Sequence, residues 1–201
     1  MDPPGVRYVS RNGHALAYQV VSNAASDSVR NVVWYLEIAL HPDIMWTDPH
    51  IHYLFERGST FYRSVYFQRR GIGMSDPVDH VPTLEEQADD VAAVMDDAGM
   101  SRATLVGIGS TCGPLTMFAA RSPERAENLV LVQPFAERIL DNPTAYGWTD
   151  GEREWIIHAW RLAGERWGIG DSARLWDPEL HTGHNRRLMA MLERCSATPE
   201  A

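Results

Sequence analysis

An α/β fold built on a mostly parallel sheet is predicted by three features of the chain. Short apolar runs of β-prone residues alternate with segments of helical period, which in a parallel sheet serve as crossovers. Several of those runs are continuously apolar, as in strands covered on both faces. Beyond Val132 the pattern becomes purely helical.

The elements follow in order. Arg7–Ser10 and His14–Val21 are β-prone and flank Asn12-Gly13, a strong two-residue hairpin signal. After a polar stretch, Asn31–Leu36 reads as a buried strand. A mixed helical segment is expected over Ile44–Arg57, then a strand over Ser64–Gln68 that runs into Arg70-Gly71-Ile72-Gly73. Thr83 and Glu86 have the spacing of a capping box. Leu84, Ala88, Val91, Ala92, Met95 and Ala98 recur on one helical face, with Asp89, Asp90 and Asp96 among the acidic residues mostly opposite. Gly99 supplies the stop. A strand over Ala103–Val106, a Gly/Ser turn, a short helix over Pro114–Arg121 and a strand over Leu129–Val132 complete the alternating part. Trp155, Ile156, Trp160 and Ala163 then share one side of a helix starting near Asp150. A last helix is expected near Arg186–Arg194.

Composition narrows the function classes. The chain has 201 residues, 44% hydrophobic and 22% charged, which fits one globular domain or one and a half. A net charge of −9 without a basic patch argues against nucleic acid and anionic membrane as partners. No apolar run approaches the ~20 residues of a membrane span, and Met1-Asp2-Pro3-Pro4 lacks the parts of a signal peptide. Two cysteines, Cys112 and Cys195, are too few for a disulfide framework, so a reducing cytoplasm is expected.

Several segments carry a likeness. Gln68-Arg69-Arg70-Gly71-Ile72-Gly73-Met74-Ser75-Asp76 resembles the D-x-R-G-x-G-x-S-D loop that follows the fourth strand of α/β-hydrolases, and Pro123-Glu124-Arg125 resembles the step after their nucleophile helix. Ala17–Val21, Thr83–Val91 and Tyr146-Gly147-Trp148-Thr149 resemble α/β-hydrolase-fold domains that bacterial chains carry ahead of a nucleotide-cyclase or regulatory domain. The resemblance implies a core over residues 1–140, with a mostly parallel sheet of about six strands. It also implies a helical lid over 141–201, and that the last two strands of the family are missing.

Such a hydrolase needs a nucleophile on a tight strand-to-helix turn, G-x-S-x-G, together with two oxyanion donors and a later acid and histidine. In Gly107-Ile108-Gly109-Ser110-Thr111-Cys112 an ungapped match puts Gly109 at the nucleophile position and Thr111 at the second glycine. Ser110 falls one residue late, which turns its hydroxyl about 100° around the first helical turn. One reading makes Ser110 a cap of the following helix or of its approach; the other shifts it locally into the nucleophile position. The oxyanion turn reads Leu36-Glu37-Ile38, with Glu37 where the family usually has glycine. A carboxylate there repels a developing oxyanion, and one lost donor costs ~2.7–4 kcal/mol. No segment after Val132 reads as a strand, so the family's acid and histidine are absent from their usual places.

Substitutes for the base are His158, His181 and His184 in the helical part, any of which needs heavy-atom contact of ~2.6–3.2 Å. No metal site is expected, because His50-Ile51-His52 and His181–His184 lack completing ligands. Neither Gly71-Ile72-Gly73 nor Gly107-Ile108-Gly109 continues as a phosphate-binding loop, so no cofactor is expected. Cys112 reads either as a thiolate near a helix N-terminus or as a small buried filler. Five tryptophans in the last third suggest a well-packed lid, with room beneath it for a small apolar ligand.

If the sheet ends at Leu129–Val132, that strand is an apolar edge. It is then expected to be covered by the C-terminal helices, a second copy or a partner protein. Two function classes result: a non-catalytic binding or interaction module, or a weak serine esterase-type hydrolase using Ser110. A third, an accessory domain of a nucleotide-cyclase signalling system, rests on the resemblance.

Overall fold

The computed structural model describes residues 1–23, 29–36, 38, 40–134, 147–176, 179 and 183–198. The chain divides into two compact units, Met1–Pro134 and Phe135–Ala201.

The first unit is a six-stranded sheet. Strands β1 (Arg7–Arg11) and β2 (His14–Val21) form the expected hairpin, with Asn12 at φ 51 and Gly13 at φ 82 in its turn. They are followed by β3 (Arg30–Leu36), β4 (Tyr62–Gln68), β5 (Ala103–Ile108) and β6 (Ala126–Val132). The spatial order is β1-β2-β4-β3-β5-β6. Strand β2 meets β4 antiparallel, while the β4-β3, β3-β5 and β5-β6 pairs are parallel. Helix α3 (Leu84–Asp97) joins β4 to β5, and α4 (Cys112–Arg121) joins β5 to β6.

Side-chain alternation sends two clusters to opposite faces. Val33, Tyr35, Val65, Phe67 and Leu105 pack against α3 and α4. Leu36 and Tyr66 pack against Met45, Trp46 and Phe55, which come from the segment between β3 and β4. Tyr35 and Phe67 stack at 4.4 Å between ring centroids, and Tyr35 donates to Gln87 Oε1 at 2.7 Å, fixing the start of α3 to the sheet.

Two expectations are corrected here. The helix expected over 44–57 is split into α1 (Pro42–Met45) and α2 (Pro49–Gly58). Proline at 49 pushes Asp48 out of helical conformation, and Asp48 instead caps α2, accepting the N–H groups of His50 (2.9 Å) and Ile51 (3.0 Å). Asp90, placed on the solvent face of α3 by its charge, is fully buried. The Arg70 guanidinium grips it in a two-pronged contact at 2.9 and 2.5 Å. The capping box itself is present: Thr83 Oγ1 accepts the Glu86 N–H, and Glu86 accepts the Thr83 N–H.

The second unit comprises α5 (Asp150–Glu165), α6 (Ala173–Trp176) and α7 (Gly183–Ser196). Its fixed point is Glu193, fully buried on α7. One carboxylate oxygen accepts the N–H groups of Gly168 (2.7 Å) and Gly170 (2.8 Å); the other accepts the Ser172 N–H and hydroxyl. The Trp167 indole donates to the Glu193 and Ala197 carbonyls, both at 2.8 Å. The expectation of a well-packed lid meets two exceptions: Trp155 is 60% and Trp160 45% exposed, while Ala163 is buried. Helical period identifies an apolar stripe, but not a surface to cover it. No helix among the described residues is long and apolar enough to cross a membrane.

Candidate functional site

The parallel strands point their carboxyl ends the same way, and that edge is where open α/β sheets place their chemistry. Tyr35 of β3 stands opposite Gly107 of β5, and Leu36 opposite Gln68 of β4, so the ends of these three strands lie side by side.

Gly107 is there because α4 packs directly on β5. A Cβ at this position would lie 2.8 Å from Leu115 Cδ1 and 3.2 Å from the Cys112 nitrogen, closer than such atoms pack. Gly109 forms the tip of the turn, with φ 56, a left-handed conformation that glycine adopts without penalty. A single turn of 3₁₀ helix over Gly109–Thr111 leads into α4. Thr111 is buried and its hydroxyl folds back, accepting the Ile108 N–H at 2.9 Å and donating to the Ile108 carbonyl at 3.0 Å. Ser110 is exposed in the 3₁₀ turn. The helix starts at Cys112, two residues before the expected Pro114, and Thr111 occupies the capping position without a side-chain cap. Cys112 is buried at the start of α4, its thiol directed at the Val132 carbonyl at 3.7 Å.

On the neighbouring strand end, Ile38 is half-buried in a turn, and Glu37 lies outside the described residues. Gln68 donates to the Leu40 carbonyl at 2.9 Å, tying this turn to β4. Gln19 is buried beneath the same segment, donating to Asp43 (2.7 Å) and accepting from the Trp46 indole (3.0 Å). The glycine-rich loop after β4 is consumed by internal contacts. Ser75 donates to the Gln68 carbonyl and accepts the Ala17 N–H, and Asp76 accepts the Ala15 N–H at 2.8 Å. It is a structural stitch to β2.

Of the candidate bases, His158 on α5 and His184 on α7 are exposed, and His181 lies outside the described residues. No cluster of three or more histidine, cysteine or acidic side chains fit for a metal occurs among the described residues. The sequence reading passed over His41, which is buried just after β3. Burial pushes its pKa down, with Asp43 opposing, and its Nδ1 has no hydrogen-bond partner among the described residues. Nothing in its spacing marked it.

No family model and no curated protein matches this chain. Solved structures do. A probable hydrolytic enzyme from Pseudomonas aeruginosa superposes with a TM-score of 0.65 at 18% identity, over 95% of this chain and 59% of that one. An enol-lactonase from Burkholderia xenovorans gives 0.61 at 20%, over 94% and 66%. A structure from a study of carboxylesterases of Nitrososphaera gargenis gives 0.65 at 13%, over 96% and 68%. This is the α/β-hydrolase fold. At these identities the likeness is one of fold, and the chain spans about three fifths of the Pseudomonas enzyme's length. Within an α/β-hydrolase fold the turn after β5 is the place of chemistry, and here its tip carries Gly109.

Proposed function

We propose that this protein is a non-catalytic bearer of the α/β-hydrolase fold, a binding or interaction module that keeps the scaffold without its nucleophile. One observation carries the reading: the left-handed residue at the tip of the strand-to-helix turn is Gly109. An acid and a histidine brought from anywhere would find no side chain there to deprotonate. Thr111, buried two residues on, already spends both its proton and an acceptor lone pair on Ile108. In sequence, a glutamate at position 37 stands where the family it resembles usually has glycine, a residue type unsuited to an oxyanion turn. Binding is supported by apolar surface left in water: Val130 and Val132 on β6 and Trp155 on α5 are each more than 40% exposed.

The second reading, a serine esterase-type hydrolase, is favoured by the exposure of Ser110 one residue past the tip and by the hydrolase activities named for the structural neighbours. Hydrolysis of p-nitrophenyl esters separates the two. The expected release equals that of Ser110→Ala, without a burst. A burst stoichiometric with protein, lost in Ser110→Ala, establishes the second reading instead.

A further inference from the structure

The glycine-rich loop after β4 runs on to α3 as a strap held at both ends. Asp76 donates its N–H to the Ala15 carbonyl at 2.8 Å, and the Pro82 carbonyl accepts the Gln87 side chain at 3.0 Å. His80 lies between these anchors and reaches across to α3. Its Nδ1 is 3.1 Å from Asp79 Oδ1, and its Nε2 is 3.1 and 3.2 Å from the two oxygens of Glu86. A neutral imidazole has one N–H and one lone pair, so one of these contacts would set lone pair against lone pair. Only the imidazolium donates at both nitrogens. Behind Glu86 stands Arg70, 3.7 Å away and itself gripping Asp90. His14 of β2 acts on Asp79 as a further positive neighbour when charged.

We propose that Asp79, His80 and Glu86 form a proton-operated clasp: with His80 charged, the strap over 77–81 is fastened to the first turn of α3, and loss of that proton frees it. Glu86 is the fixed half. Its carboxylate accepts the Thr83 N–H at 2.9 Å in the capping box, and that bond, then His80, holds its pKa down. It therefore stays charged wherever His80 titrates. Hydrogen bonds to Asp79 and then Glu86 hold the His80 pKa above the ordinary value of about 6.5. The folded chain thus binds this proton more tightly than the unfolded one. The clasp is complete below the ordinary value and is lost as pH rises through the folded value. The His80 side chain is 44% exposed, so the fastening is weak and opens without unfolding the chain. It lies at the helix end that borders the candidate site. Leu84, next to Thr83, packs against Gly113 in the first turn of α4, where a Cβ would come within 3.3 Å of Leu84 Cδ2. The strap is a movable border of that site, whether or not the turn at Gly109 is catalytic.

Ring resonances of His80 and backbone relaxation of the strap, followed by NMR on the 201-residue chain through and beyond the histidine range, test it. His80 is expected to titrate above about 6.5. The order parameters of the Asp79, His80 and Val81 amides are expected to fall from about 0.85 to below about 0.6 along the same curve. Glu86→Gln keeps a residue that serves the capping box but removes the charge. It is expected to move the His80 titration downward and to carry the loss of order with it. His80→Ala is expected to leave the strap loose at every pH. A His80 that titrates at or below the ordinary value overturns the proposal, and so does a strap whose order is unchanged across the titration. Should a variant lose its fold, the unsubstituted chain decides on those two measurements alone.

Discussion

The Thr111 hydroxyl closes a ring with Ile108, taking that residue's N–H and giving a proton to its carbonyl. The bond spans the tip of the turn and holds Gly109 at φ 56 between its two ends. Replacing the hydroxyl by a methyl strands a backbone donor in a packed environment. Thr111→Val is expected to cost about 1–3 kcal/mol in urea unfolding. Gly109→Ala, which must hold a Cβ in the left-handed region, is expected to cost about 1–2 kcal/mol. Neither is expected to alter the ester-hydrolysis background.

Arg70 and Asp90 are a buried pair whose charges have no solvent to fall back on. Removing one partner leaves the other stranded. Arg70→Met and Asp90→Leu are each expected to destabilise by about 3–5 kcal/mol, and the double variant by far less than their sum. A double-mutant cycle in urea reads this coupling directly.

In the second unit, Glu193→Gln keeps the shape but replaces one accepting oxygen with an NH2 group that faces backbone donors. A loss of about 2–3 kcal/mol is expected. The amides of Gly168, Gly170 and Ser172, now bound to the carboxylate, should exchange faster in the variant.

His41 gives the fold an acid sensitivity. Burial lowers its pKa below the ordinary value of about 6.5, so the folded chain binds that proton less tightly than the unfolded one. The stability this contributes is complete above the ordinary value and is lost as pH falls through it toward the folded value. His41→Asn is therefore expected to lose less stability than the unsubstituted chain on the same acidification, followed by the urea midpoint at each pH.

Much of the fold could be read from local signals. Asn12-Gly13 and its β-prone flanks marked the hairpin, the Thr83/Glu86 spacing marked the start of α3, and apolar runs located the other four strands, β6 extending three residues earlier than expected at Ala126. What escaped was decided by tertiary contacts. Asp90 reads as a surface acid until Arg70, twenty residues earlier, is seen to meet it. The break between α1 and α2 was written in Asp48-Pro49, but the apolar residues on either side masked it. At the site, the ungapped placement of Gly109 came from sequence, while the folding-back of Thr111 and the burial of His41 needed coordinates.

A non-catalytic scaffold requires that no hydroxyl at the turn after β5 be activated. Intact-mass measurement after incubation with a fluorophosphonate reads this in one step. The protein is predicted to keep its mass unchanged, as Ser110→Ala does. An adduct of one phosphonyl group per chain, carried on Ser110 and missing from the alanine variant, would contradict it.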